Sequence, residues 1–202
     1  MTLERLRPVA DAVLRPMVRV CLSIGATPNM LSVLGFLFAI AAAVGFYLGP
    51  TAWWWYLLAT IFVAISGSLD LLDGAVAREL DISSRAGDIL DHTLDRYADI
   101  VLVGGLAAGA GQYLLGFLAV TGVVMTSYLG TQAQAVDFGR LYAGVMGRSD
   151  RLVLIGLVGV IMAGFTDPVY ELTAVGWLLV LFAIVGHLTA VQRFVVLWRG
   201  LR

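Results

Sequence analysis

Apolar residues run along this chain in long blocks broken by short polar or glycine-containing connections, instead of alternating with polar ones. A helix needs about 20 consecutive apolar residues to cross roughly 30 Å of hydrocarbon. Six segments approach that length: 31–48, 53–77, 88–110, 113–135, 151–165 and 172–195. The connections at 49–52 and 111–112 are too short to hold a separate soluble unit. No internal repeat or low-complexity tract interrupts the pattern.

The first 26 residues differ. "RLRPVADAVLRPMVRVCLSIG" mixes Arg5, Arg7, Arg15 and Arg19 with apolar residues at helical spacing, as in a helix lying on an anionic membrane surface. The spread of Arg and the lack of a compact apolar core exclude a cleaved signal. The alternative is a solvated tail. The expected fold is therefore an all-α integral membrane protein with six transmembrane helices after an interfacial amphipathic helix. One domain, 1–202, would comprise the interfacial helix at 1–26 and a six-helix membrane core at 27–202.

Composition supports this class. Hydrophobic residues make up 60% of the chain and charged residues 13%, against about 25% charged in soluble domains, and mean hydropathy is +0.91. The sidedness of charge says more than the net −1. Every basic residue is Arg. Four precede the first segment; Arg78, Arg85 and Arg96 flank the second connection, Arg140, Arg148 and Arg151 the fourth, and Arg193, Arg199 and Arg202 the C-terminus. The connections at 49–52, 111–112 and 166–171 carry none. Basic residues favour the cytoplasmic side, so both termini are expected there, and six spans satisfy that. Nothing points to nucleic acid as a partner. The single Cys21 has no partner for a disulfide and reads as structural.

"SLDLLDGAVARELDISSRAGDILDHTLDR", residues 68–96, breaks the apolar pattern with seven carboxylates. An unpaired acid at hydrocarbon depth costs up to about 3 kcal/mol, so Asp70, Asp73, Asp91 and Asp95 together would cost up to about 12 kcal/mol. Asp70 and Asp73 are three apart and Asp91 and Asp95 four apart, so each pair shares a helix face. Consecutive antiparallel spans would bring the two faces together just below the cytoplasmic surface. Arg78, Arg85 and Arg96 are too few to neutralise the acids and also serve a substrate. Hard divalent cations, which take oxygen ligands, are the better counter-charge. Two of them would leave the site near neutral and open to a phosphate or diphosphate. Gly74, Ala77 and Gly87 allow a nucleotide to approach the backbone, and Arg78 offers a fork of donors to phosphate. Asp81 and Asp88 read as helix-end acids.

Written as a pattern, the segment is Asp70-x2-Asp73-Gly74-x2-Ala77-Arg78-x8-Gly87-x3-Asp91-x3-Asp95, and it resembles the signature of the CDP-alcohol phosphatidyltransferase family at every defined position. "TPNMLS", residues 27–32, is similar to the start of the family's first span, with Pro28 suited to a helix start. The resemblance implies transfer of a phosphatidyl or archaetidyl group from a CDP-activated lipid to the hydroxyl of a small polar alcohol, with release of CMP. It implies two divalent cations, Mg²⁺ or Mn²⁺, with Asp70, Asp73 and Asp91 as metal ligands and Asp95 as both ligand and general base. Gly74, Ala77, Arg78 and Gly87 would surround the CDP moiety, and the family tips the expected assembly towards a homodimer.

Acceptor identity rests on the fourth connection. Arg140, Arg148 and Arg151 share the cytoplasmic side with the aspartates and are expected to bind a phosphate on the acceptor, as in inositol phosphate or glycerol phosphate; for Arg140, topology explains the charge equally well. "SYLGTQAQA" resembles the corresponding region of phosphatidylinositol phosphate and archaetidylinositol phosphate synthases but has Gly130, Gln132 and Gln134 where those enzymes carry an Arg-rich "RARAE". Asp99, one turn beyond Asp95, either holds an Arg or orients the site. His92 sits beside Asp91 with no assigned role, and His187 is expected to make an interhelical hydrogen bond. Trp53, Trp54, Trp55 and Tyr56 read as an aromatic belt at the outer interface. Small residues in "VGGLAAGAG" serve internal packing or a dimer contact. Two rival classes are an Mg²⁺-dependent intramembrane prenyltransferase and an ion or proton transporter using the Asp cluster. The first does not account for Gly74, Ala77 and Arg78, and the second expects acids near the middle of the bilayer.

Overall fold

A computed structural model describes residues 7–82, 84–139, 141 and 144–202, with side chains from Arg15 onward. Seven helices make up the architecture among the described residues, with no strand beyond one isolated bridge between Val169 and Leu172: α1 (Arg7–Ser23), α2 (Pro28–Leu48), α3 (Trp53–Leu80), α4 (Arg85–Gly109), α5 (Tyr113–Ala135), α6 (Arg148–Gly164) and α7 (Ala174–Gly200). Their limits fall within a few residues of the apolar segments. Each boundary has a local cause. The Thr27 hydroxyl accepts from the Met30 amide ahead of Pro28, and the Ser84 hydroxyl accepts from the Gly87 amide at 3.0 Å. Asp81 closes α3 in the left-handed region at φ 52, with the Ile82 amide donating to the Ala77 carbonyl. The Asp150 carboxylate caps α6 by accepting from the Gly147 amide at 2.9 Å.

Four elements are long and apolar enough to cross a membrane: α2 with the 3-10 turn that follows it, α3, α5 and α7. The protein is an integral membrane protein. Of the other two segments read as spans, α6 is only 17 residues long, and α4 carries six charged side chains between Arg85 and Asp99.

In the packing, α2 contacts both α3 and α4, α3 contacts α6, and α5 joins α4 to α7. Phe46, Leu102, Leu106, Leu179 and Phe182 form the centre of the main core. Small residues bring backbones close. A Cβ on Gly105 would lie 2.7 Å from Ala43 Cα, and one on Gly186 would lie 3.1 Å from Gly122 Cα. "VGGLAAGAG" therefore serves internal packing at Gly105 and Gly109, both seated on α2. His187 Nε2 lies 3.4 Å from the Thr121 hydroxyl, the expected contact between α5 and α7. A second, smaller apolar cluster joins α1 to α3 through Val18, Leu72 and Val76, with Cys21 and Leu22 packed against it.

Candidate active site

The two carboxylate pairs meet, and α2 forms the wall between their helices. Asp70 and Asp73 project from the last third of α3, and Asp91 and Asp95 from the first half of α4. Ser32 on the first turns of α2 donates a 2.6 Å hydrogen bond to Asp73 Oδ2. Asp73 is 7% exposed, which makes that bond its anchor in an apolar setting. The α3–α4 hairpin alone suggested direct apposition of the two faces. The structure adds α2 as the third side of the site, and Ser32, Gly35, Asp70, Asp73, Asp91 and Asp95 all line one small pocket.

One oxygen from each of Asp70, Asp73 and Asp91 lies within 4.8 Å of the others, and Asp91, His92 and Asp95 form a second such group. Carboxylate oxygens at this separation suit a hard divalent cation. His92 is half-exposed, with Nδ1 3.8 Å from Asp91 Oδ2.

Arginines close the opposite side. Arg148, at the start of α6, places NH1 against Asp70 Oδ1 and 2.9 Å from Asp95 Oδ1. Arg96 NH2 lies 3.5 Å from Asp95 Oδ2. Arg151, one turn further along α6, donates a 2.5 Å hydrogen bond to buried Asp99. Asp99 thus holds an Arg, one of the two roles open to it on sequence grounds. Beyond these pairs lies a cavity of about 570 Å³ lined by Arg96, Arg148, Arg151 and Arg193 together with Thr126, Ser127, Thr131 and Gln134. The Nε atoms of Arg148 and Arg151 are buried and have no hydrogen-bond partner among the described residues. Arg140 lies outside the described residues.

Sequence reasoning treated Arg193 as a topology marker and Arg96 as a local but insufficient counter-charge, and did not single out Ser32 for the site. Arg193 comes from the far end of the chain, and its NH1 donates at 2.6 Å to the Thr126 carbonyl. A Cβ on Gly130 would lie 2.9 Å from that NH1, so the glycine that breaks the Arg-rich pattern is what leaves room for Arg193. The replacement of "RARAE" by smaller, neutral residues was the available signal. Gln132 spends one amide hydrogen on the Tyr128 hydroxyl at 2.9 Å.

A second cavity, about 540 Å³, opens on the other side of Asp73 and Asp91 and is lined by Gly74, Ala77 and Gly87 with Thr27, Asn29 and Asp88. A Cβ on Gly87 would lie 3.3 Å from Asn29 Oδ1, so the glycine keeps this opening clear. Arg78 extends from the same turn of α3 but lines a cleft shared with α1, its NH1 3.4 Å from the Cβ position of Gly74. A third groove, about 340 Å³ and mostly apolar, runs from Asp70 between α3 and α6 past Gly67, Leu152 and Gly156.

Residues 25–189 match the CDP-alcohol phosphatidyltransferase family, and the chain belongs to it. It is accordingly an enzyme that transfers a phosphatidyl group, or the archaeal ether-lipid equivalent, from a CDP-activated lipid to the hydroxyl of a small polar alcohol, releasing CMP. The prenyl-transfer and ion-transport readings give way to this assignment. Among relatives, the chain is 32% identical over 192 residues to archaetidylinositol phosphate synthase of Pyrococcus horikoshii, covering 95% of this chain and 94% of that protein. The crystal structure of Mycobacterium tuberculosis phosphatidylinositol phosphate synthase, PgsA1, with CDP-DAG bound superposes with a TM-score of 0.76 at 26% identity, covering 91% of this chain and 92% of that one. The same enzyme in complex with manganese and citrate also gives a TM-score of 0.76 at 26% identity, covering 91% of this chain and 88% of that one.

Proposed function

We propose that this transferase uses a phosphorylated polyol, inositol phosphate before glycerol phosphate, as its acceptor. The observation that carries this is the cavity in which Arg96, Arg148, Arg151 and Arg193 converge, with Arg96 and Arg148 also in contact with Asp95. An uncharged alcohol needs no such concentration of guanidinium, whereas a phosphate monoester accepts several charge-assisted bonds. The names of similar proteins, synthases of archaetidylinositol phosphate and phosphatidylinositol phosphate, support the same acceptor.

Asp70, Asp73 and Asp91 hold divalent metal, with Asp95 completing a two-cation site; manganese in the PgsA1 structure supports Mn²⁺ as readily as Mg²⁺. When bound, the cations neutralise the diphosphate of the donor and polarise the reacting phosphorus. Gly74, Ala77 and Gly87 leave space for the cytidine nucleotide, while the Arg78 side chain lines the neighbouring cleft with α1. The α3–α6 groove takes a lipid chain of the donor, so the headgroup meets the carboxylates while the tails stay in the bilayer. The acceptor hydroxyl oxygen bonds to the lipid-side phosphorus as its bond to the bridging oxygen breaks. Asp95 takes the hydroxyl proton and CMP departs with the bridging oxygen. Arg148 touches both Asp95 and the acceptor cavity, so an acceptor phosphate competes with Asp70 and Asp95 for its guanidinium.

The chain is a single domain, 1–202, with α2 to α7 as six spans and α1 on the membrane surface. Termini and site face the cytoplasm, a reading that the distribution of Arg supports, and the working unit is a homodimer. Purified protein given a CDP-activated ester or ether lipid, Mn²⁺ or Mg²⁺, and inositol phosphate, glycerol phosphate or free inositol is expected to release CMP fastest with inositol phosphate. Asp95→Asn is expected to stop release. Equal rates with free inositol, or undiminished release by Asp95→Asn, would refute the assignment.

A further inference from the structure

We propose that the cleft between α1 and α3 is a second phosphate site, separate from the catalytic carboxylates, that binds the phosphate headgroup of an anionic lipid. Arg15 and Arg19 are four apart on α1 and share a face, and with Arg78 of α3 they surround a cleft of about 450 Å³. Among the described side chains Glu79 is the only carboxylate lining it, against three arginines. All four side chains are exposed, and the three arginines form no ion pair among the described residues. Guanidinium groups gathered without a carboxylate partner favour a phosphate, which accepts their paired donors.

The cleft does not open on the catalytic face. At about 100° per residue, Ala75 and Glu79 lie about 140° and 180° around α3 from Asp70, and Arg78, about 80° from Asp70, sits at the edge between the two faces. Val18, Leu22 and Ala75 give it an apolar floor, and Val18 is one of the residues that fasten α1 to α3. Phosphate donors above an apolar floor match a ligand that is itself amphiphilic. A free phosphate shares the anionic chemistry but has nothing to place on Val18 and Leu22. Occupancy would tie α1 to the end of α3 that carries Asp70 and Asp73.

The test uses the full chain in a neutral detergent, with thermal unfolding followed while phosphatidylglycerol, phosphatidylcholine or inorganic phosphate is added. Phosphatidylglycerol is expected to raise Tm saturably, and Arg15→Gln/Arg19→Gln to raise its half-saturating concentration by about tenfold or more. Glu79→Gln, which removes a repulsive charge, is expected to lower that concentration by about two- to threefold. Asp95→Asn is expected to titrate like the parent, which separates this site from the catalytic one even where catalytic roles are misassigned. An equal response to phosphatidylcholine, or unchanged titrations in both the double variant and Glu79→Gln, would overturn the proposal. Inorganic phosphate that saturates the shift and blocks phosphatidylglycerol would overturn the lipid and assign a soluble phosphate to the cleft.

Discussion

Arg151 on α6 donates a 2.5 Å hydrogen bond to Asp99 on α4, across 52 residues of sequence, and each side chain is only 5% exposed. One turn nearer the helix starts, Arg148 and Asp95 meet at 2.9 Å. The two pairs are rungs of one ladder, because 148 and 151 share a face of α6 as 95 and 99 share a face of α4. The inner rung is sealed from the carboxylate pocket, with Arg151 alone reaching the arginine cavity, while the outer rung borders both. This arrangement gives the inner pair a holding role at the wall of the acceptor cavity and sets the outer pair between that cavity and the carboxylates.

Breaking the sealed rung should therefore be expensive. Removal of one partner from a buried ion pair strands the other charge and costs about 3–5 kcal/mol, whereas replacing both with apolar groups costs far less. Asp99→Ala is expected to lower the unfolding temperature sharply, and Asp99→Leu/Arg151→Met to recover most of it. Thermal unfolding of the purified variants reads both. A double variant no more stable than Asp99→Ala would show that the pair does not act as a closed unit.

Ser32 should tune the metal without touching it. Its hydroxyl is the hydrogen-bond donor to Asp73 Oδ2 and fixes that carboxylate beside Asp70 and Asp91. Outer groups that orient a ligand are worth about 10–100-fold in metal affinity. Ser32→Ala is expected to raise the Mn²⁺ concentration that half-activates CMP release by about tenfold, with the rate at saturating metal much less affected. Ser32→Thr, which keeps the hydroxyl, should stay near the parent, and a metal titration that does not separate the two variants would dismiss the orienting role.

The helices were legible because lipid leaves little choice: buried backbone must bond within its own segment, so apolar block length reads almost directly as helix length. The eight motif positions were legible as a set because spacings of three and four place pairs on one face whatever surrounds them. Contacts between distant helices were not. Nothing near Ser32 in sequence reveals that α2 stands between α3 and α4. Arg193 carries the same positive-inside signature as Arg199, yet only Arg193 bends into the cavity, because Gly130 leaves it space. Arg78 belongs to the motif, but its exposed head also serves the cleft with α1.

Two neighbouring glycines should respond oppositely to the same change. A Cβ on Gly105 would overlap the Ala43 carbonyl oxygen and lie 2.8 Å from the Ala43 carbonyl carbon, where only backbone movement relieves the clash. A Cβ on Gly104 meets nothing within 4 Å. Gly105→Ala should destabilise by about 1–3 kcal/mol or more through overpacking. Gly104→Ala should be neutral or gain up to about 1 kcal/mol from helix propensity. Unfolding temperatures of the two variants, measured side by side, decide whether α2 and α4 pack this closely.

The acceptor site should show itself in which Michaelis constant moves. Arg193 lines the cavity with Arg148 and Arg151, yet it is absent from the carboxylate pocket and from the cavity around Gly74 and Gly87. A charge-assisted bond contributes about 1.5–3 kcal/mol, so losing one to the acceptor phosphate corresponds to about 10–150-fold in affinity. Arg193→Ala is expected to raise the KM for inositol phosphate by at least about tenfold with the donor KM nearly unchanged. Arg148→Ala differs because Arg148 also contacts Asp70 and Asp95, so it should raise the acceptor KM and lower kcat together. Gly130→Ala crowds only the guanidinium end of Arg193 and should fall between the parent and Arg193→Ala. If Arg193→Ala raised the donor KM instead, the cavity would be a nucleotide site and the acceptor would have to be sought around Gly74, Ala77 and Gly87.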